Sequence, residues 1–158
     1  MLIEKRLVSE VRKLFDDGVK KIRNNAYVCL IKLADFTYGV DNVITFDIIP
    51  ILVENLVIEK DEDIMILILT LLRVLSDGEA APMILLGTPV LARLNKHLSS
   101  KNSKIRELAA SNLASISFNM KGKEQTIESG SIPHLCQMLH DEVSEVRTAA
   151  TQALASLT

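Results

Sequence analysis

Three side chains late in the sequence are of types that bind metal ions. Cys136 and His140 are four residues apart, which places a thiol and an imidazole on one face of a helix, and His134 precedes them. A structural metal site needs further ligands, and no second pair follows at a zinc-finger spacing. We therefore predict no metal site and interpret Cys136 as a small buried apolar residue. The core-facing stripe of this helix is predicted to contain Leu135, Met138 and Leu139.

No other group of residues has the spacing of a catalytic or cofactor site. The sequence contains no glycine-rich phosphate loop, no Gly-x-Ser-x-Gly elbow and no paired histidine–carboxylate signature. The acidic run from Glu59 to Asp63 lacks the glycine and the alternating oxygens of a calcium loop, so a solvated turn is predicted there. These patterns predict a protein that is not an enzyme and needs no cofactor.

An amphipathic helical pattern recurs along the chain and organises it. Copies begin at Ile22, Ile64, Ile105 and Val146, which are 42, 41 and 41 residues apart. A period near forty residues that is built from helices is typical of a helical solenoid. We therefore predict one all-α domain over residues 1–158, in units of three helices that are short, medium and long. The predicted units are a partial one at 1–39, then 40–86, 87–129 and 130–158.

Turn residues and apolar spacing set the expected helix limits. Pro50 is expected in a first helical turn, where proline is tolerated, and Gly39 is expected to break the chain between two helices. The predicted helices are 1–17, Val19 to Phe36, Asp41 to Phe46, Ile48 to Leu56, Ile64 to Leu75, Glu79 to Leu86, Val90 to Leu98, Ile105 to Ile116, Met120 to Ser129, His134 to His140 and Val146 to Leu157.

Composition excludes several classes of partner. A net charge of −2 and a pI near 5.9 do not suit a protein that binds nucleic acid, because phosphate affinity needs many clustered cations. The longest apolar run, Ile64 to Leu72, is nine residues, whereas about 20 are needed to span a bilayer. Cys29 and Cys136 lie in different repeats, so a reducing compartment is expected. A cytoplasmic protein without membrane or nucleic-acid partners is therefore predicted.

The residues Gly130 to Leu135, followed by Val146 to Leu154, resemble the armadillo repeat, and the pattern extends over essentially the whole chain. The resemblance implies helices packed into a right-handed superhelix with a concave groove. It also implies a non-catalytic scaffold whose partners are other proteins.

A narrower resemblance rests on three segments: Val57 to Asp63, Ser100 to Arg106, and Gly122 to Gln125. In order, they are similar to the central repeats of the radial spoke head protein 14 family. That family implies a structural component of the radial spoke in the axoneme of a cilium or flagellum, with axonemal spoke proteins as partners and no catalytic residues.

The armadillo resemblance also indicates where a partner would bind. In nuclear-import receptors of this type, a Trp and an Asn recur on each third helix and clamp an extended peptide. Neither residue recurs here, which disfavours import of basic peptides but leaves two interpretations: a solvated helix face, or a cytosolic adaptor or transport receptor that binds a peptide or helix in the groove. The Trp positions hold Val28, Thr70, Ser111 and Gln152, the Asn positions hold Lys32, Val74, Ser115 and Ser156, and Leu67 and Leu108 complete the candidate groove.

Three further patterns leave alternatives open. The helix from Ile64 to Leu75 is apolar around its circumference, so it is either buried on all sides or has an uncovered strip that binds a partner. Net charge alternates as +3, −7, +4 and −2 over the predicted units, which either steers partners or is solvated surface with mild attraction between neighbours. Apolar residues in the first and last helices predict a segment of a longer array or self-association through an end.

Overall fold

The computed structural model describes residues 2–35, 39–44, 47–78 and 80–158, and every regular element in those ranges is an α-helix. The predicted helix ends at Phe36 and Phe46 and the predicted start at Glu79 lie outside the described residues. The helices are α1 (Leu2–Arg12), α2 (Lys20–Ala34), α3 (Gly39–Ile44), α4 (Ile48–Ile58), α5 (Glu62–Leu75), α6 (Ala81–Leu86), α7 (Val90–His97), α8 (Ser103–Ile116), α9 (Met120–Glu128), α10 (Ser131–Met138) and α11 (Ser144–Leu157).

The helices form two compact units, residues 1–81 and 82–158. In the first unit, α2 packs along α5, and α1, α3 and α4 pack around this pair. The rings of Phe15 and Tyr27 stack with their centroids 4.2 Å apart. The Tyr27 hydroxyl accepts a hydrogen bond from the Asn55 side chain at 3.0 Å, and burial raises the pKa of Tyr27 to about 12.

The helix α5 is a core element of the first unit. Of its apolar residues, Ile66, Leu67 and Val74 are half-buried and the others are buried, so the helix has no fully exposed apolar strip. This favours the buried interpretation of its all-round apolar pattern. The fully packed side chains are Ile64, Met65, Ile68, Leu69, Leu71, Leu72 and Leu75.

The predicted register is confirmed at three of the four leading positions. Ile64, Ile105 and Val146 are at most 3% exposed, as leading residues of the stripe should be. The exception is Ile22 in the first turn of α2, which is 38% exposed. The rest of α2 keeps the period, since Ala26, Tyr27 and Leu30 recur 42 residues later as the buried Ile68, Leu69 and Leu72.

In the second unit, α8 and α11 make the most extensive helix–helix contact, and α7, α9 and α10 pack against them. Ala109 and Ala110 of α8 and Ala149 and Ala150 of α11 are all at most 3% exposed. Leu113 of α8 is fully buried, as predicted.

Several helix limits differ from the sequence prediction. The first helix ends at Arg12, and turns occupy the rest of the predicted span. Gly39 begins α3 rather than breaking the chain. The helix α10 starts at Ser131, so Pro133 lies in its first turn, where a missing backbone N–H costs nothing. Pro50 occupies the same place in α4.

Candidate partner-binding surface

All ten candidate groove residues lie on the long helices α2, α5, α8 and α11. They differ in how much surface they offer to a partner. Lys32 and Gln152 are exposed, whereas Leu108 is only 8% exposed and packs in the core of the second unit. The remaining seven are half-buried: Val28, Leu67, Thr70, Val74, Ser111, Ser115 and Ser156.

Two of the candidates, Ser111 and Gln152, line one shallow pocket of about 250 Å³ between α8 and α11. The sequence prediction did not include the other side chains of this pocket. The repeat period could have identified two of them, because Glu107 and Thr148 are 41 residues apart, the same spacing as Ser111 and Gln152. The other lining residues are Glu107, Ser144, Glu145, Thr148 and Ala149. We call this surface the α8–α11 face.

Several hydroxyl groups on the long helices already donate hydrogen bonds to backbone carbonyls of their own helix. The Ser115 hydroxyl donates to the Ser111 carbonyl at 3.2 Å, and the Ser156 hydroxyl donates to the Ala153 carbonyl at 2.7 Å. Thr148 bonds the Ser144 carbonyl in the same way at 3.0 Å. Each hydroxyl has used its only proton, so it can offer a partner nothing but an acceptor lone pair.

Two carboxylates add negative charge to the α8–α11 face. Both oxygens of Glu107 lie 2.9 Å from the Lys104 ammonium, and Glu107 is half-buried. The Ser144 hydroxyl donates to Glu145 at 2.8 Å, and this bond lowers the pKa of Glu145 below its ordinary value. Glu145 is therefore ionised at neutral pH. In the first unit, the positions equivalent to Glu107 hold Asn24 and Ile66, which are uncharged.

His134 and Cys136 lie on α10, and His140 lies in the turn that follows this helix. Within the described residues, no group of three or more His, Cys, Asp or Glu side chains could hold a metal ion. Cys136 is exposed, so its interpretation as a buried apolar residue is wrong. Leu135 and Met138 are buried as predicted, whereas Leu139 is 37% exposed and lies at the edge of the stripe.

The acidic run before α5 is a largely solvated turn, as the sequence predicted, since Lys60, Glu62 and Asp63 are exposed, and its carboxylates also make specific contacts. Asp61 caps α5 by accepting hydrogen bonds from the backbone N–H groups of Asp63 and Ile64. The Lys20 ammonium lies 2.7 Å from both Asp61 and Asp63. The bond to Lys20 lowers the pKa of Asp61, and the same bond raises the pKa of Lys20. Arg23 Nε lies 3.3 Å from Glu59 Oε2 in an ion pair that is not a well-formed hydrogen bond.

A second contact of this kind connects α8 with the turn before α11. Arg106 donates from Nε and Nη2 to the two oxygens of Asp141, at 2.8 and 2.9 Å. These side chains are only 18% and 12% exposed. Charge alternation along the sequence therefore corresponds to attraction between neighbouring predicted units, at Arg23–Glu59 and at Arg106–Asp141.

Comparisons with known proteins agree with this architecture. The HEAT repeat family model matches residues 132–158, which is one repeat. A comparison with curated proteins gives no match. A designed armadillo repeat protein solved in complex with the peptide (KR)4 superposes with a TM-score of 0.90 at 22% identity, over 99% of this chain and 66% of that chain.

Two other solved structures give the same result. An engineered protein has a TM-score of 0.88 at 23% identity, over 96% of this chain and 63% of that chain. A computationally designed armadillo repeat protein for modular peptide recognition has a TM-score of 0.88 at 23% identity, over 98% and 66%. The chain thus spans 63 to 66% of the length of these solved chains.

These likenesses define the class of fold. The chain is a helical-repeat protein with the all-α fold of armadillo-type solenoids, as the sequence predicted. Such repeat surfaces are suited to binding other proteins. No helix in the described ranges is long and apolar enough to cross a membrane.

Proposed function

We propose that this protein is a non-catalytic scaffold that binds other proteins through the α8–α11 face. The observation that carries the proposal is the chemistry of that face, which combines acceptor oxygens with the carboxylates Glu107 and Glu145. A partner must therefore bring hydrogen-bond donors or positive charge.

A helical partner segment suits this face better than an extended one. The backbone carbonyls of an extended peptide need a row of donors. On the α8–α11 face, the hydroxyl protons of Ser144 and Thr148 are already used, and the Gln152 amide offers donors at one place only. A helix has satisfied its own backbone and needs only side-chain contacts. We propose a helix with Lys or Arg side chains that reach Glu107 and Glu145.

Two synthetic peptides of equal length and charge test this proposal. One is an α-helix with lysines along one face, and the other carries a central proline that prevents helix formation. Fluorescence anisotropy should show tighter binding of the helical peptide, and the double variant Glu107→Gln with Glu145→Gln should weaken it. The matched control is Glu124→Gln with Glu128→Gln, at exposed positions of α9, which should bind like the unaltered protein. Equal affinity for both peptides, or no effect of the first double variant, would contradict the proposal.

A more specific proposal concerns where such a scaffold works. The three segments similar to the radial spoke head protein 14 family support a place in the axoneme of a cilium, with spoke proteins as partners. Fractionation of ciliated cells tests this idea, since an axonemal component stays with the detergent-extracted axoneme. Release with the soluble fraction would instead favour the adaptor or transport-receptor alternative.

A further inference from the structure

Two positions recur at the start of every long helix. We call the fourth residue of each long helix the staple position, and the residue three places before each helix the turn position. The staple positions hold Arg23, Met65, Arg106 and Arg147. The turn positions hold Asp17, Glu59, Ser100 and Asp141.

Each arginine at a staple position donates a hydrogen bond to the turn that precedes its own helix. Nη1 donates to the backbone carbonyl of the turn position, at 2.9 Å from Arg23, 2.9 Å from Arg106 and 2.8 Å from Arg147. Because the guanidinium has several donors in a rigid plane, one edge remains available for a carboxylate. In Arg106 that edge binds Asp141, and in Arg23 it faces Glu59.

The acids at the turn positions share one hydrogen bond to the backbone. In each, one carboxylate oxygen accepts the N–H of the residue two places later, which leaves the other oxygen available. In Glu59 this other oxygen faces Arg23, whereas in Asp141 both oxygens accept hydrogen bonds from Arg106. The backbone bonds run from Val19 to Asp17 (2.8 Å), from Asp61 to Glu59 (2.9 Å) and from Val143 to Asp141 (3.0 Å).

One arginine and one acid of this series are left unmatched. Within the described structure, the Arg147 guanidinium donates only to the carbonyls of its own turn and forms no ion pair, although Asp141 and Glu145 lie close enough to interact with its charge. Asp17 has no cationic partner there. In the sequence, an arginine at a staple position is followed by an acid at the next turn position, as Arg23 is by Glu59 and Arg106 by Asp141. Where the staple position holds Met65, the next turn position holds the uncharged Ser100. An acid is therefore expected opposite Arg147, and an arginine opposite Asp17.

Apolar side chains beside these two residues are also less covered than their equivalents. Ile22 is 38% exposed, whereas Ile64 is fully buried. Leu154 is half-buried, although its equivalent Leu113, 41 residues earlier, is fully buried. A further repeat packed against each surface would bury these residues.

We propose that two copies of this chain associate end to end, with Arg147 of one copy bound to Asp17 of the other. A single contact of this kind supplies both missing partners and continues the pattern of Arg106 with Asp141. It also covers Leu154 of one copy and Ile22 of the other. The contact joins two different surfaces, so each copy keeps one surface free for a further copy.

Charge reversal with sedimentation velocity tests this proposal. The unaltered chain should form species larger than a monomer, with an average mass that rises with protein concentration. Arg147→Glu places an acid against Asp17, and Asp17→Arg places a cation against Arg147, so each variant alone should remain monomeric. An equimolar mixture of the two should recover the larger species, because every contact between unlike variants pairs opposite charges. Recovery on mixing also shows that both variants are folded.

Matched controls are Lys121→Glu and Glu128→Lys, which make the same charge changes at exposed positions of α9. Both should associate like the unaltered chain. The proposal is overturned if the unaltered chain is a monomer at every concentration, because a different protein must then cover Arg147. It is equally overturned if association persists in both charge-reversal variants, since another surface must then mediate it.

Discussion

The Arg106–Asp141 pair is expected to be energetically coupled, and a double-mutant cycle can measure the coupling. The perturbations are Arg106→Gln and Asp141→Asn, which remove charge but keep side-chain size. Arg106→Gln should cost more than Asp141→Asn, because Arg106 also donates to the carbonyls of Ser100 and Lys101. The cycle cancels that difference and isolates the interaction between the two side chains.

The expected coupling follows from the geometry. Two charge-assisted hydrogen bonds of 2.8 and 2.9 Å join groups that are 18% and 12% exposed. Hydrogen bonds to charged groups contribute about 1.5–3 kcal/mol each, and desolvation offsets part of the sum. We expect a coupling of about 2 kcal/mol. The pair of Lys104 with Glu107 is 51% and 22% exposed, so its coupling should stay below about 0.5 kcal/mol.

Urea unfolding followed by circular dichroism gives the free energies of the four proteins in each cycle. The cycle of Lys104→Gln with Glu107→Gln is the matched control, since it removes a pair within the single helix α8. If the Arg106–Asp141 coupling were as small as that of the control, the pair would be an ordinary surface contact. The arginines at the staple positions would then contribute no more to stability than ordinary surface charges.

Three other perturbations have expected outcomes. Leu113→Ala removes a fully buried side chain and should cost about 2–5 kcal/mol in urea unfolding, whereas Glu107→Ala should stay within about 0.5 kcal/mol; equal, small costs would contradict the register. A Cβ at Gly122 would overlap the backbone carbonyl of Ile116, so Gly122→Ala should lower the melting temperature, whereas Gly18→Ala has open space and should not. The bond from Arg106 lowers the pKa of Asp141, so the unfolded chain binds more protons in acid and stability should fall as pH drops below about 4. Asp141→Asn should flatten that dependence on pH; an unchanged slope would contradict this cause.

Much of the fold could be predicted because burial depends on residue type and spacing. The period of about 41 residues predicted the buried positions of Ile64 and Leu113, since large aliphatic side chains leave water wherever packing permits. Cys136 was predicted wrongly because residue type was given more weight than position. It lies about 100° around the helix from Leu135, on the side away from Met138, and that angle alone predicts exposure.

The candidate surface was harder to predict than the core. Glu107 and Glu145 lack the apolar signal that marks a buried stripe, and they meet at one pocket only because α8 and α11 pack side by side. Ion pairs between residues 35 or 36 positions apart were visible in the sequence only as alternating net charge. Charge sums give only the sign of each predicted unit, whereas the pairing of Arg23 with Glu59 and of Arg106 with Asp141 depends on turn geometry.

The Arg106–Asp141 pair also favours one register of α8 against the turn before α11. Both α8 and α11 bury alanine side chains, which are small and alike and therefore specify a register weakly. A shift of one helical turn, about 5.4 Å, would separate Arg106 from Asp141 and leave two largely buried charges without partners. Because breaking such a pair costs more than forming it gains, the pair acts mainly against wrong registers. The same reasoning makes Arg147 selective for a carboxylate at one position on whatever packs against α11.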